Sequence, residues 1–419
     1  MFNTLRNAWK IPDLRNKMIF TLLMLLVFRA GTFISVPGMN LDAIKQLVSS
    51  GGLLGFFDVI SGGAFGNFSI FTMSITPYIT ASIIMQLLTI AIPSLEAISK
   101  EGEDGRRKIA QYVRYATVVL ALIQSIAISF GLRQYLIQPV NFWTYTIVAL
   151  SLTAGTAFLM WLGELINEKG IGNGISLLIF VGIISGIPSG IAKLYLAYLD
   201  KSVNIFTLVI FLAAAIAIIM AVIYVQEGQR RIPVQYAKRV VGRKMYGGQS
   251  THIPLKVNQA GVIPVIFAMS LLSFPAQIAS FFPASGFNKF ITRFFDWGTI
   301  GHGLTYALLI IGFTYFYTAV TFNPVEVSNN IKKYGGFIPG LRPGKPTTDF
   351  IVRSLNRITL VGAIFLALIA IVPIFLLKFA GIPVYFGSTS LLIVVGVAMD
   401  FVKQVEAQMV MRNYQGFLK

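Results

Sequence analysis

Few side chains in this 419-residue chain are arranged for bond chemistry. Its two histidines, His252 and His302, lie far apart, and neither belongs to an H-E-x-x-H zinc motif. No G-x-S-x-G nucleophile turn occurs. Cysteine is absent, which removes disulfides, thiolate metal sites and cysteine nucleophiles. The stretch "PGLRPGKPTT" (339–348) has the outline of a phosphate-binding loop. That loop needs glycine at Pro339 and Ser or Thr at Pro346. "GIGNGIS" (170–176) is rich in glycine, but no strand precedes it, so a dinucleotide site is poorly supported. No cofactor and no metal are expected.

The elements that hold these residues are membrane spans. The chain is 55% hydrophobic and 12% charged, with a mean hydropathy of +0.74. Soluble domains carry roughly twice that charged fraction. A spanning helix needs about 20 mainly apolar residues. Ten candidate runs meet that need, at 18–37, 73–93, 112–132, 144–163, 172–192, 204–225, 259–282, 302–322, 357–377 and 384–403. The first, from Met18 to Pro37, is long, carries Arg29 and has no A-x-A-like cleavage site after it, so it reads as a span rather than a cleaved signal.

Lys and Arg set the orientation. With both termini on the cytoplasmic side, 26 of the 34 Lys and Arg fall inside and 8 outside, and the acidic residues divide 12 to 4. The net charges are then +14 inside and +4 outside. Two cytoplasmic connections are long and basic, 227–256 and 324–355. Ten spans divide into five and five, which inverts the second half and suits a site near the bilayer midplane. Pro77 and Pro264, each early in an Ile/Phe-rich run, give that symmetry weak local support.

Charge inside a span is usually functional. Arg29 lies about 18 Å along its helix from Lys17 at a rise of 1.5 Å per residue. It could snorkel, face a wet cavity, or take part in gating. Paired intramembrane carboxylates are missing, so an ion-coupled, inverted-repeat solute transporter starts poorly supported, as does an intramembrane hydrolase. The stretch "FFDVISGGAFGNFSI" (56–70) is harder to place. It is too broken to span and too apolar for an ordinary loop, with Asp58 its only ionised group.

Seven stretches carry a resemblance. They are "FFDVISGGAFGNFSIFTMSITPYITASIIMQLL" (56–88), "KGIGNGISLLIF" (169–180), "RRIPVQYAKR" (230–239), "STHIPLKVNQAGVIPVIFA" (250–268), "GFIPGLRPGKPT" (336–347), "NRITLVGA" (356–363) and "GSTSLLIVVGVAMD" (387–400). Together, and in this order, they resemble the SecY family, the protein-conducting channels of the bacterial Sec translocase. The resemblance implies an all-α polytopic membrane protein of ten transmembrane helices. Two inverted five-helix halves, 1–200 and 201–419, would form a clam shell around an hourglass pore. It implies a passive conduit in the bacterial plasma membrane, with both termini cytoplasmic. The conduit would move unfolded secretory polypeptides across the membrane and release apolar segments sideways into lipid. Implied partners are the SecE and SecG subunits, the SecA ATPase motor, the ribosome, preproteins bearing signal sequences, and membrane lipid. It is not expected to be an enzyme.

The resemblance also assigns residues. The 56–70 stretch becomes a plug in the outer funnel, with Phe57, Ile60 and Phe65 as its apolar surface and Gly62, Gly63 and Gly66 as its bends. A seal that must open is expected to have few polar anchors. The pore ring maps onto Ile83, Leu87, Ile175, Ile179, Ile266 and Ile393. Ile83 and Leu87 share a helix face, as do Ile175 and Ile179, although isoleucine at that spacing is ordinarily packing. The lateral gate maps onto Thr80, Gln86 and Asn258, where simple helix–helix hydrogen bonding is the alternative. The cytoplasmic docking surface maps onto Arg230, Arg231, Lys238, Arg239, Arg342 and Lys345, where charge retention alone would also place basic residues.

Overall fold

A computed structural model of the protein describes residues 6, 8–49, 55, 58, 61–137, 141–200, 204–236, 239–241, 244–246, 250–280, 286–295, 299–380 and 388–416. Each of the ten expected spans overlaps a helix. Residues 1–200 contain α1 (Pro12–Gly31), α2 (Leu41–Ser49), α3 (Thr76–Ala91), α4 (Pro93–Lys100), α5 (Glu103–Gly131), α6 (Phe142–Lys169) and α7 (Gly174–Leu199). Residues 201–419 contain α8 (Ile205–Glu227), α9 (Ile263–Ser280), α10 (Gly286–Phe295), α11 (Ile300–Thr321), α12 (Pro324–Lys333), α13 (Lys345–Ala380) and α14 (Ser388–Gly416). The spans correspond to α1, α3, α5 to α9, α11, α13 and α14. Among the described residues, 6 helices are long and apolar enough to cross a membrane outright. The pair α3 and α4, bent by 101°, raises the number to 7.

Several helices overrun their apolar segments. α5 begins at Glu103 and α13 at Lys345, ahead of the hydrophobic stretches expected from 112 and 357. The extra turns carry Arg106, Arg107 and Lys108, and Lys345 and Arg353. Hydropathy ends where these charges begin, but backbone hydrogen bonding does not. The bend after α3 has a local cause. Ile92 is extended (φ −109°, ψ 112°), as a residue before proline tends to be, and Pro93 has no N–H to continue the ladder.

A central apolar cluster joins α3, α6, α7, α9, α11, α13 and α14. α8 contributes Val222 to that cluster, but with a hydropathy of 3.1 it has only 6% of its spanning window buried. A helix that apolar and that exposed needs lipid or a partner around it. The turn from α6 into α7 explains the "GIGNGIS" glycines. A Cβ on Gly174 would run into the Gly163 carbonyl oxygen. The Gly174 N–H donates to Asn167 Oδ1 at 2.7 Å, and Asn173 Oδ1 caps α7 through the Ser176 N–H at 3.2 Å. Gly174→Val is therefore expected to destabilise the protein by about 1–3 kcal/mol, seen as a lower melting temperature in detergent. Gly190, with open space around it, takes Ala without that loss.

The two basic connections are not coil. β1 (Gln229–Tyr236) pairs antiparallel with β4 (Ser250–Lys256), setting Arg230 opposite Leu255 and Arg231 opposite Pro254. β5 (Gly336–Phe337) joins the other edge of β1. A hairpin of β2 (Arg239–Val241) and β3 (Lys244–Tyr246) stands apart as a second sheet. Ile232, Val234 and Leu255 are buried against Ile331, Ile338, Ile351 and Leu355. The helical expectation thus needs this addition: both connections share one small sheet with its own apolar core.

Candidate functional site

The segment from 61 to 75 is neither a span nor a loose loop. Asp58 organises it from within. Its backbone carbonyl accepts from the Gly63 N–H at 2.8 Å and the Ser61 hydroxyl at 3.1 Å. Its carboxylate Oδ1 accepts from the Gly66 N–H at 2.7 Å. The segment also bonds to the chain following α1: the Val36 N–H donates to the Phe68 carbonyl at 2.8 Å, and the Ile70 N–H to the Ile34 carbonyl at 3.0 Å. Arg29, near the end of α1, donates from Nη1 to the Gly62 carbonyl and to Ser185 Oγ of α7 at 3.2 Å. The expectation of few polar anchors is therefore corrected. A glycine-rich segment has backbone N–H and C=O groups little screened by side chains, and each needs a partner once buried.

The apolar contacts divide by residue. Ala64 is buried in the central cluster, which also contains Ile83, Ile179 and Ile393. Phe65 and Phe68 enter a second cluster with Val36, Met39, Ile44, Val148 and Leu152. Among the side chains that reach the central cluster from this segment, with Phe71 and Ile75, is the small Ala64, which the sequence reading passed over. Phe57 and Ile60 lie outside the described residues.

Of the six ring positions, Ile83, Ile179 and Ile393 are buried in the central cluster, and Ile175 and Ile266 pack against it. They come from α3, α7, α9 and α14, so residues distant in sequence converge. Leu87 stands apart, 43% exposed.

α9 packs against α3 and α5. The Thr80 hydroxyl donates to the Thr76 carbonyl of its own helix at 3.0 Å. Gln86 Nε2 donates to Ser82 Oγ at 3.4 Å, and Asn258 Nδ2 to the Gly261 carbonyl at 3.0 Å. Gln86 Oε1, Asn258 Oδ1 and the neighbouring Gln259 Oε1 are buried acceptors without a hydrogen-bond donor among the described residues. Gln259 lies within the 250–268 stretch that carries the resemblance, beside Asn258, but was not singled out.

On the strand-bearing face, Arg230, Arg231, Arg342 and Lys345 are exposed. Lys238 lies outside the described residues. Arg239 sits in β2, but its side chain is also outside the described set. The turn around Arg342 is tied down. Thr347 Oγ1 donates to the Arg342 carbonyl at 2.9 Å, while Ser328 Oγ and the Thr348 N–H each donate to the Gly344 carbonyl at 3.1 Å. The backbone of the turn is fixed while the guanidinium is left exposed.

A family profile described as SecY matches residues 69–402. The protein translocase subunit SecY of Halalkalibacterium halodurans is 52% identical over 431 residues, covering 100% of both chains. A solved structure in which the plug domain of SecY stabilises the closed state of the translocation channel and maintains a membrane seal superposes with a TM-score of 0.68, at 20% identity over 94% of this chain and 92% of that one. Sec61 in the canine ribosome–channel complex from the endoplasmic reticulum gives a TM-score of 0.66, at 18% identity over 94% of this chain and 93% of that one. Full-length identity of this order, together with the profile match, makes the chain a member of the SecY family.

Proposed function

We propose that the protein is the central subunit of a protein-translocation channel, a passive conduit for unfolded secretory polypeptides across the bacterial plasma membrane. The observation that carries this reading is that Ala64 belongs to the same buried apolar cluster as Ile83, Ile179 and Ile393. In this reading a re-entrant segment rests on aliphatic side chains drawn from both 1–200 and 201–419, as a stopper would rest on a narrow waist. Such a waist excludes water and hydrated ions by dewetting. It yields to a polypeptide because it binds no particular side chain. The proposed ring is Ile83, Leu87, Ile175, Ile179, Ile266 and Ile393, and the proposed plug covers 56–70.

Lateral release into lipid follows from the seam between α9 and the pair α3 and α5. Gln86 and Asn258 keep that seam from sealing fully, since a buried acceptor without a donor is costly. Energy comes from outside the chain, by ATP hydrolysis in SecA or by a translating ribosome, and the protein itself makes and breaks no bonds. SecE and SecG complete the complex around surfaces such as α8. Both termini are cytoplasmic. Arg342 couples the motor, because a guanidinium on a fixed turn forks two hydrogen bonds to a carboxylate or carbonyl pair and lysine does not.

Reconstitution tests the reading. Proteoliposomes containing the complex are expected to import a preprotein only when the ATPase is added; a solute transporter would act without it. Arg342→Ala is expected to cut motor-driven import by about tenfold or more, the loss of a charge-assisted hydrogen bond of about 1.5–3 kcal/mol. Arg342→Lys should recover little of it. Import by Arg342→Ala at the wild-type rate would remove the turn from motor coupling.

A further inference from the structure

We propose that Arg29, Ser185 and the Gly62 carbonyl form a latch that keeps the plug seated, with Arg29 the positioning residue that sets how readily the channel opens. The inference rests on the plug reading above. It begins with a charge in an apolar helix. A guanidinium does not shed its proton, so inside a span it needs partners. Arg29 finds one at the C-terminal cap of its own helix and two farther along the chain. Its Nη1 lies 3.4 Å from Thr32 Oγ1. It also donates to the Gly62 carbonyl, 33 residues away, and to Ser185 Oγ, 156 residues away. The Ser185 hydroxyl lies 3.4 Å from the same Gly62 carbonyl and 2.8 Å from the Gly182 carbonyl. Three segments, α1, the plug and α7, therefore meet at one carbonyl oxygen.

The plug side of the contact is built for it. Gly62 has φ +71°, in the left-handed region that favours glycine. A Cβ there would lie 2.9 Å from Ser185 Oγ and 3.0 Å from Gly182 Cα. Backbone conformation and space both require glycine. The latch ties the plug to two wall helices, separately from the contact of Ala64 with the central cluster.

The arrangement also releases. Arg29 is half-buried, and the Phe33 ring, 4.8 Å from the guanidinium carbon, belongs to the same stretch of chain and stays when the plug leaves. Water in the opened funnel takes the place of the Gly62 carbonyl. The latch therefore biases the closed state without locking it. Snorkelling, the competing role for Arg29, gives no reason for Gly62 and Ser185 to converge on it.

Resting ion conductance of the reconstituted channel tests the proposal, together with import of a preprotein whose signal sequence has been weakened. Arg29→Gln is expected to raise the leak about tenfold, one decade for the loss of about 1.4 kcal/mol, and to admit the weakened signal. Gly62→Ala is expected to do the same from the plug side, and it decides the matter if Arg29→Gln does not accumulate. In a chain lacking 58–67, Arg29→Gln should add nothing. A raised leak on deletion but none with Arg29→Gln or Gly62→Ala would overturn the latch and leave the plug reading intact. Unchanged leak on deletion would overturn both. A further rise when Arg29→Gln is added to the deletion would show Arg29 acting elsewhere and overturn the latch.

Discussion

Removal of residues 58–67 is expected to raise the resting ion conductance of the reconstituted channel about a hundredfold or more, while polypeptide transport continues. The magnitude comes from what the segment contributes. Burial of a side chain such as Phe65 is worth about 1.5–3 kcal/mol, and a hydrogen bond to a charged group such as Arg29 another ~1.5–3 kcal/mol. Each ~1.4 kcal/mol is a decade in the closed-to-open ratio. The aliphatic waist remains after the deletion and still resists wetting, so openings should be brief rather than permanent. Planar-bilayer recording of the purified complex measures this. A leak equal to that of the intact chain would mean that the segment seals nothing.

The second large effect is at the seam. Gln86→Leu combined with Asn258→Leu is expected to raise the apolarity that a signal sequence needs. Each buried acceptor left without a donor costs the closed state about 1–3 kcal/mol, so replacing both stabilises closure by roughly 2–6 kcal/mol. A leucine contributes about 0.3–0.6 kcal/mol toward insertion. A weak signal should therefore lose import about thirtyfold or more, and the addition of several leucines to it should restore transport. Thr80→Val should change little, because that hydroxyl is already bonded to the Thr76 carbonyl of its own helix. Wild-type import of weak signals by the double variant would leave these amides with a packing role alone.

The fold was legible because hydropathy writes spans directly into sequence. Each of the ten apolar runs overlaps a helix; the ends that pass into charged turns, as in α5 and α13, were placed short, and the first run, 18–37, extends six residues past the end of α1 at Gly31. The sheet joining the two basic connections was less visible. Its signal was present in the alternation of Ile232 and Val234 with exposed neighbours along β1, but β5 has only two residues, Gly336 and Phe337, and carries no pattern of its own. The proposed site rests on motif resemblance and not on spacing, since isoleucine on a helix face is ordinarily packing. Periodicity could not have separated Ile83 from Ile84, one residue on, of which the first is buried and the second exposed. Arg29 illustrates what lay beyond reach. Its partners are a backbone carbonyl and a serine far along the chain, and no local pattern encodes a hydrogen bond to a backbone atom 33 residues away. Ala64 escaped for a related reason: small size let it fit against the central cluster, while attention to hydrophobicity favoured Phe65.

The central claim is that the plug and the aliphatic cluster lie on the path of the polypeptide. Cysteine crosslinking tests it most directly, and the cysteine-free sequence makes it clean. One cysteine replaces Ala64 and the other replaces, in turn, Ile83, Ile179 or Ile393. An arrested secretory polypeptide carrying a single cysteine is then offered to the same three ring sites. The ring cysteines are expected to crosslink to position 64 at rest and to the polypeptide once it is engaged, with the resting crosslink lost as the second appears. If the polypeptide crosslinks elsewhere on the chain but never to these sites, the path does not run through this cluster and the assignment of the pore is wrong.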